Sequence, residues 1–263
     1  MTTLQNHLKK AYLKKKQKKS KLNLKKLALL SNLSNNRLRI VYTKNKKARR
    51  IWRAFLHFFR GAAEMTEHYY SKKPQVQSNP QQWRYTLLGH SFLFETDSGV
   101  FSKGEVDFGS RLLIETFEMP DMDGAVLDVG CGYGPIGLAI AKQYPDRTVF
   151  MMDINERAVE LAKKNAEMNG IQNVRIYESD GVYIDKGVKV AAVLTNPPIR
   201  AGKETVFKIY DGAFHHLSDG GELWVVIQKK QGAPSTQKYL EEKFRSVEVV
   251  EKKKGYWIIK AEK

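Results

Sequence analysis

The sequence predicts an α/β fold in which a mostly parallel sheet carries helices on both faces. From about residue 125 onwards, short apolar segments typical of buried strands alternate with longer segments of helical periodicity. Strands that alternate with helices pair in parallel and are covered on both sides. A glycine-rich turn joins the first of these strands to its helix. The last two strand-like segments leave no room for a crossover helix, so they must be antiparallel.

Each element follows from its own pattern. Segments 84–88 and 91–96 predict a hairpin, and a glycine-rich loop over 101–110 precedes a helix that ends near residue 117. The predicted strands of the main sheet are 125–129, 148–153, 173–177, 190–195, 222–228, 246–251 and 256–261. The predicted helices between them are 135–144, 155–169, 203–217 and 235–244. Gly170 provides a stop for the second of these helices.

Composition limits the possible classes of protein. A chain of 263 residues is long enough for one large domain and an extension. The single cysteine, Cys131, excludes an intrachain disulfide and a cysteine-rich metal site, so we expect no metal. No apolar run approaches the roughly 18 residues that a membrane span needs. We therefore expect a cytoplasmic protein without a membrane partner.

The net charge of +17 comes from one end of the chain. Residues 1–64 hold 19 Lys and Arg and a single acid, Glu64, whereas residues 65–263 hold 26 basic and 27 acidic residues. We expect 1–64 to be a basic extension, disordered or partly helical, with an amphipathic helix over 48–60, and 65–263 to be the folded domain. Three alternatives remain for the extension. It is a translated non-coding stretch upstream of a natural start at Met65, an RNA-attracting tail, or a membrane contact.

The segment Asp128-Val-Gly-Cys-Gly-Tyr-Gly134 predicts a nucleoside cofactor site. Alternate glycines at the end of a strand let a ligand approach the backbone, and the following helix begins at the ligand. A tight turn without a ligand is the simple alternative. A sharper one is a dinucleotide site, because residues 132–137 match G-x-G-x-x-G and Asp153 lies at the expected distance.

Acidic residues follow three successive predicted strands. Asp128 could orient the amino-acid end of S-adenosylmethionine, Asp153 could accept the ribose hydroxyls, and Asp180, after Ser179, could accept the adenine amino group. Each acid could instead be a helix cap or a solvated loop charge. The carboxyl ends of strands meet at one edge of an open α/β sheet, which favours a shared site.

A second motif, Asn196-Pro197-Pro198, ends the strand predicted over 190–195. An amide oxygen and a carbonyl on a proline-stiffened turn can accept the two hydrogens of an exocyclic amine and aim its lone pair at a methyl donor. The alternative is a turn that merely ends the strand. A dehydrogenase needs neither this motif nor Asp128 and Asp180, so together the motifs predict methyl transfer from S-adenosylmethionine to a planar nitrogen.

Three segments carry a family resemblance, namely 100–113, 127–134 and 195–202. From about residue 68 to the end, the chain resembles the "methyltransferase small" domain of ribosomal RNA guanine-N2 methyltransferases. The resemblance implies a Rossmann-like class I methyltransferase fold with a seven-stranded sheet and an antiparallel last strand. It implies S-adenosylmethionine as the cofactor and a guanine 2-amino group in 16S rRNA as the acceptor.

The resemblance also implies roles for single residues. Asn196, Pro197 and Pro198 would be catalytic, and Ile199 and Arg200 would contact the substrate. The cofactor contacts would be Phe101, Asp107, Ser110, Asp128, Gly130, Gly132, Gly134, Asp153, Ile154, Ser179 and Asp180. We expect the small ribosomal subunit or its 16S rRNA to be the partner of a monomeric enzyme.

Two features depart from the family pattern. Many relatives have an aromatic residue after Asn-Pro-Pro that stacks on the target base, whereas this chain has Ile199; Arg200, Tyr133 or Phe101 could replace it. Larger relatives carry a second, degenerate domain that a 64-residue extension is too short to form. A protein glutamine or a DNA adenine remains an alternative acceptor, although those families favour tyrosine at this position. A non-catalytic RNA-binding or assembly protein remains another alternative.

Overall fold

The computed structural model describes residues 77–102, 104–185 and 187–263. The predicted extension, its helix over 48–60 and the domain boundary at residue 65 lie outside the described residues. The first described element is a hairpin of β1 (Gln81–Leu87) and β2 (His90–Thr96). Its two turn residues, Leu88 and Gly89, both have positive φ, which matches a turn to the right-handed twist of the strands. The predicted hairpin is therefore confirmed, with His90 inside the second strand.

A seven-stranded sheet forms the centre of the described chain. Its strands are β3 (Ala125–Val129), β4 (Val149–Asp153), β5 (Val174–Glu178), β6 (Val190–Thr195), β7 (Glu222–Gln228), β8 (Ser246–Lys253) and β9 (Tyr256–Glu262). They lie in the order β5-β4-β3-β6-β7-β9-β8. All neighbouring pairs are parallel except β7–β9 and β8–β9. The predicted fold class, including the antiparallel last strand, is confirmed.

Five α-helices accompany these strands in the described residues. They are α1 (Phe108–Thr116), α2 (Pro135–Gln143), α3 (Glu156–Met168), α4 (Lys203–His216) and α5 (Ala233–Glu241). Asn155 caps α3 by accepting hydrogen bonds from the backbone N–H groups of Arg157 and Ala158. α5 begins two residues before its predicted start, because Gly232 adopts a left-handed conformation and Pro234 suits the first helical turn.

The two faces of the sheet are each covered by helices. Alternate residues of β3 point in opposite directions: Val126 belongs to one apolar cluster and Leu127 to the other. The first cluster includes residues of α1, α2 and α3, and the second includes residues of α4 and α5. Because β3–β6 are parallel, their carboxyl ends lie at one edge of the sheet. The strand order changes direction between β3 and β6, and open α/β sheets bind ligands at such a point. Within the described residues, no helix combines the length and the apolar character needed to cross a membrane.

The hairpin is fastened to α3 by two asparagine side chains. Asn165 accepts a hydrogen bond from Glu95 N at 2.7 Å and donates to Glu95 O at 3.0 Å and Tyr133 O at 2.8 Å. Asn169 makes the same pair of bonds with the backbone of Leu93, both at 2.8 Å. The two side chains thus make hydrogen bonds with the backbone of β2 that a neighbouring strand would otherwise make. Through Tyr133, Asn165 also fixes the hairpin to the glycine-rich loop.

Candidate active site

A cavity of about 420 Å³ opens at the carboxyl ends of β3, β4, β5 and β6. Twelve of the residues predicted for the site line it: Phe101, Asp107, Ser110, Gly130, Gly132, Asp153, Ile154, Ser179, Asp180, Asn196, Pro197 and Pro198. These residues come from five separate segments of the chain. The topology of the sheet therefore brings the predicted cofactor motif and the Asn-Pro-Pro motif to one cavity.

The glycine-rich loop leaves its backbone open towards this cavity. Gly130 and Gly132 have φ of 76° and 57°, a region that favours glycine, and no atom lies within 4 Å of where a Cβ would stand at either position. Gly134 differs, because a Cβ there would meet Leu138 and Met151 in the core. Gly134 therefore caps α2 at the base of the loop and does not line the cavity.

Asp153, the last residue of the neighbouring strand β4, forms a hydrogen bond with the glycine-rich loop. Its Oδ2 accepts a hydrogen bond from Gly132 N at 2.8 Å, and its Oδ1 accepts one from Asn155 N at 2.9 Å. Burial raises the pKa of this carboxyl group above its ordinary value, while the backbone donors oppose the shift. The side chain thus holds the glycine-rich loop in shape while it faces the cavity.

Asp128 lies behind the loop and does not line the cavity. Only 1% of its surface is exposed, and its Oδ2 accepts a hydrogen bond from Gly137 N at 2.8 Å. Its Oδ1 is buried and has no hydrogen-bond partner in the described part of the chain. Burial raises the pKa of Asp128 to about 7, and the nearby charge of Asp153 adds to the effect. An unpartnered carboxylate oxygen at this place suits a ligand that carries a positive charge.

The amide of Asn196 is held in one orientation. Its Nδ2 donates to Ser110 Oγ at 3.0 Å and to Asp107 Oδ1 at 3.3 Å. Asp107 is itself fixed as the N-cap of α1, because its Oδ1 accepts hydrogen bonds from the N–H groups of Gly109 and Ser110. With both amide hydrogens engaged, the Oδ1 of Asn196 is left as an acceptor at the cavity wall. Asp107 and Ser110 thus act on the Asn-Pro-Pro motif, which sequence patterns did not reveal.

The two prolines form a tight turn after Asn196. Ile199 N donates to Pro197 O at 2.8 Å, and Pro198 has φ −74° and ψ 79°, the geometry of an inverse γ-turn. The Pro197 carbonyl keeps its second lone pair for another donor. Ile199 packs against the apolar cluster beneath α4 and α5, and Arg200 is exposed. Neither residue lines the cavity.

The aromatic residues near the cavity fall into two kinds. Tyr133 is 2% exposed, packs against Trp83 and Phe94, and donates its hydroxyl hydrogen to Glu105 O at 3.3 Å. Phe101, in contrast, is 55% exposed and lies at the cavity wall. Of these two, Phe101 is therefore the one with a free ring face.

One wall of the cavity was missed by sequence reasoning. It consists of Ala201, Thr205, Lys208 and Ile209, which belong to the start of α4 or the turn before it. Thr205, Lys208 and Ile209 are three and four residues apart and so share one face of α4, and that periodicity was the available signal. Lys208 pairs with Glu204 at 3.1 Å across one helical turn.

The fold is that of a Rossmann-like methyltransferase. Residues 91–260 match the family model described as "Methyltransferase small domain", and the chain belongs to this family. An uncharacterized Bacillus subtilis protein, YbxB, is 60% identical over 200 residues, which are 76% of this chain and all of that protein. Ribosomal RNA small subunit methyltransferase C of Vibrio parahaemolyticus is 35% identical over 70% of this chain and 54% of its own length.

A solved structure supports the same fold. The Thermus thermophilus 16S rRNA N2 G1207 methyltransferase (RsmC), in complex with AdoMet and guanosine, superposes with a TM-score of 0.64 at 25% identity. The match covers 72% of this chain and 52% of that one. The chain thus spans about half the length of the methyltransferase C relatives that it matches.

The cofactor of this chain is S-adenosylmethionine, as its family requires. The cavity fits this molecule on structural grounds: the loop is open at Gly130 and Gly132, carboxylates follow β4 and β5, and the Asp128 oxygen has no partner in the described residues. The dinucleotide interpretation of the same glycines is therefore not supported.

Proposed function

We propose that this protein is an S-adenosylmethionine-dependent N-methyltransferase that modifies the exocyclic 2-amino group of a guanine in small-subunit (16S) ribosomal RNA. The observation that carries the proposal is the fixed amide of Asn196: the residue lines the same cavity as the glycine-rich loop, and its amide oxygen is left as an acceptor. An acceptor next to a methyl-donor site is what an amine substrate requires.

The cofactor lies along the carboxyl ends of β3, β4 and β5 in this proposal. Asp153 accepts hydrogen bonds from the ribose hydroxyls, Asp180 accepts one from the adenine amino group, and the exposed side chain of Ile154 packs against the flat base. The unpaired oxygen of Asp128, behind the loop, attracts the ammonium group of the amino-acid end. When bound, S-adenosylmethionine supplies a methyl group that is already activated by a sulfonium centre.

The chain's own residues then prepare the nucleophile. Asn196 Oδ1 and the free lone pair of Pro197 O accept the two hydrogens of the target amine, which makes the nitrogen more tetrahedral and directs its lone pair into the cavity. Asp107 and Ser110 hold the Asn196 amide so that its oxygen, and not its nitrogen, meets the amine. Because the donor is activated, orientation supplies much of the rate acceleration.

The choice of guanine in ribosomal RNA is supported by the named relatives. The 35% identical Vibrio protein is named for small-subunit ribosomal RNA, and the superposed Thermus enzyme is named for N2 of a guanine and holds guanosine. Ile199 counts against the protein glutamine and DNA adenine alternatives, which favour tyrosine there. We assign base stacking to Phe101, which has an exposed ring, with Ile199 and Arg200 at the outer edge of the substrate site.

The test uses the full-length chain with methyl-labelled S-adenosylmethionine. Its substrates are naked 16S rRNA, 30S particles and 70S ribosomes from cells that lack the gene, and labelled nucleosides are identified by mass spectrometry. We expect label in N2-methylguanosine. An Asn196→Ala variant that binds the cofactor but transfers no label is the control. Label in another nucleoside or in a glutamine of a ribosomal protein would overturn the acceptor assignment, and cofactor binding without any transfer would overturn the ribosomal RNA assignment.

A further inference from the structure

Acidic and basic residues lie at different positions along the edge of the sheet that holds the cavity. In the strand order, Asp180 follows β5, Asp153 ends β4, and Asn196 follows β6. At the same edge, the segments beyond Asn196 in the strand order carry lysines instead of acids. Lys229 and Lys230 follow β7, and Lys252, Lys253 and Lys254 stand at the turn between β8 and β9; we call these five residues the lysine ridge.

The lysine ridge is a single surface and not two separate loops. Lys229 N donates to Gly255 O at 2.8 Å, which joins the segment after β7 to the β8–β9 turn. The turn is a two-residue hairpin connection with positive φ at Lys254 and Gly255, a geometry that fixes its shape. The five side chains are therefore presented from a rigid edge.

The charges of the ridge are not neutralised. All five lysines are exposed, and none lies within 4.0 Å of a carboxylate in the part of the chain that the structure describes. The nearby acid, Glu251, accepts a hydrogen bond from the backbone N–H of Lys252. Aromatic rings hold two of the ammonium groups instead: Lys252 Nζ lies 4.5 Å from the Trp257 centroid, and Lys254 Nζ lies 4.9 Å from that of Phe108. A cation–π contact positions a lysine without cancelling its charge.

The ridge is connected to the catalytic asparagine. Phe108 is the first residue of α1, and the preceding Asp107 caps this helix and accepts a hydrogen bond from Asn196. Phe108 also packs against Tyr256, the residue after the turn, with ring centroids 5.4 Å apart. Lys254 and Asn196 are thus linked through adjacent residues of one helix start.

We propose that the lysine ridge binds the phosphate backbone of the RNA strand that carries the target base. This inference rests on the proposed function and deepens it, because it assigns the side of the cavity from which the RNA arrives. Phosphates contacted by lysine set the register of a nucleic acid without reading its sequence. If the phosphates lie on the β7–β9 side, the target base next to them is free to enter the cavity beside Asn196. The backbone then stays away from the acids that follow β4 and β5.

Steady-state kinetics of the full-length chain test the ridge. The variant K252Q/K253Q/K254Q is compared with K163Q/K189Q/K238Q, which removes the same charge from three exposed lysines elsewhere. We expect the first variant to raise KM for the ribosomal RNA substrate about tenfold, to change kcat little, and to lower the salt slope by about 0.7 to 0.9 per lost contact. We expect the second variant to stay within about twofold of wild type, and both to bind S-adenosylmethionine normally. Equal effects of the two variants would overturn the ridge proposal.

A position-specific measurement is independent of the basic extension. Cys131 is buried, so a cysteine introduced by Lys253→Cys can be labelled selectively with an iron chelate that cleaves nearby RNA. We expect cleavage next to the methylated nucleotide, and none there from Lys238→Cys. Methylation without such cleavage would overturn the ridge and leave the proposed function intact. Cofactor binding without RNA methylation by wild type would overturn the proposed function itself.

Discussion

An asparagine side chain can offer a ligand either its oxygen or its nitrogen, and the neighbours of Asn196 decide between them. Asp107 Oδ1 is an acceptor and already receives two backbone hydrogen bonds, so it can face only the amide nitrogen. Ser110 Oγ accepts the other amide hydrogen. The acceptor character of the site is therefore built into the start of α1 and does not depend on Asn196 alone.

The first prediction concerns this arrangement. Replacing Asn196 with Ala removes an oriented acceptor, and we expect kcat/KM for methyl transfer to fall by about 100-fold or more, as for other preorganised hydrogen-bonding groups. Replacing Ser110 with Ala leaves the Asp107 contact, so a smaller loss of about tenfold is expected. Rates of label transfer measure both. Isothermal titration should give unchanged S-adenosylmethionine affinity for Asn196→Ala, and a rate within threefold of wild type would contradict the assigned role.

The second prediction concerns pH. The pKa of Asp128 is about 7 in the folded protein, whereas an unfolded Asp has a pKa of about 3.9. Between these values the folded state keeps a proton that the unfolded state has released, so the free energy of unfolding falls as pH rises through this window. In an Asp128→Asn variant this contribution is absent. Thermal unfolding without cofactor should show the variant gaining stability relative to wild type between pH 5 and pH 8.

Asp153 has a raised pKa as well, and it keeps part of the pH dependence in the Asp128→Asn variant. The informative quantity is therefore the difference in Tm between variant and wild type, followed against pH. A difference that stays constant from pH 5 to pH 8 would show that Asp128 is ionised throughout.

At the scale of elements, α2 approaches β4 closely enough to exclude a side chain. A Cβ at Gly137 would lie 2.6 Å from Met151 Cγ and 2.8 Å from its Sδ. We expect Gly137→Ala to lower the free energy of unfolding by about 1–3 kcal/mol, the usual result of overpacking. Gly181→Ala is the matched control, because nothing lies within 4 Å of its Cβ position, and it should change stability by less than about 0.5 kcal/mol. Chemical denaturation measures both, and equal effects would contradict the close approach.

The attachment of the hairpin to α3 gives a fourth prediction. Asn165 is fully buried and satisfies the N–H and C=O of Glu95 and the C=O of Tyr133. Asn165→Ala leaves these backbone groups unsatisfied, so a loss of about 3 kcal/mol in unfolding free energy is expected. Lys164→Ala, which removes the partly exposed ion pair with Glu95, should cost less than about 1 kcal/mol. A smaller loss for Asn165→Ala than for Lys164→Ala would show that water replaces the asparagine.

The positions of strands and helices could be predicted from the sequence better than the side-chain contacts that join them. Strand and helix positions in the main sheet could be predicted because periodicity is a local signal, and the antiparallel end followed from the short gap before residue 256. The Asn165 bonds and the Asp107–Asn196 contact join residues about 70 and 89 positions apart. No local pattern encodes such pairs. Asp128 could be recognised beside the glycines, but its position behind the loop depends on how α2 packs.

At the scale of the whole molecule, opposite charges occupy opposite halves of one sheet edge. Asp153, at the end of β4, is half-buried and hydrogen-bonded, whereas Asp180, after β5, and the lysine ridge after β7 and β8 are exposed. Salt screens exposed charges strongly and buried ones weakly. The two binding events of the proposed reaction should therefore respond differently to ionic strength.

The last prediction follows from this difference. Between about 50 and 200 mM salt, we expect the affinity of the full-length chain for the proposed RNA substrate to fall more than tenfold, because phosphate contacts release counterions. S-adenosylmethionine affinity should change by less than about twofold over the same range, since two of the three carboxylates assigned to it, Asp128 and Asp153, are buried or half-buried. Fluorescence anisotropy with labelled RNA and calorimetry with the cofactor measure the two. The variant K252Q/K253Q/K254Q should show a shallower RNA slope than wild type, and equal slopes would mean that the salt response arises elsewhere in the chain.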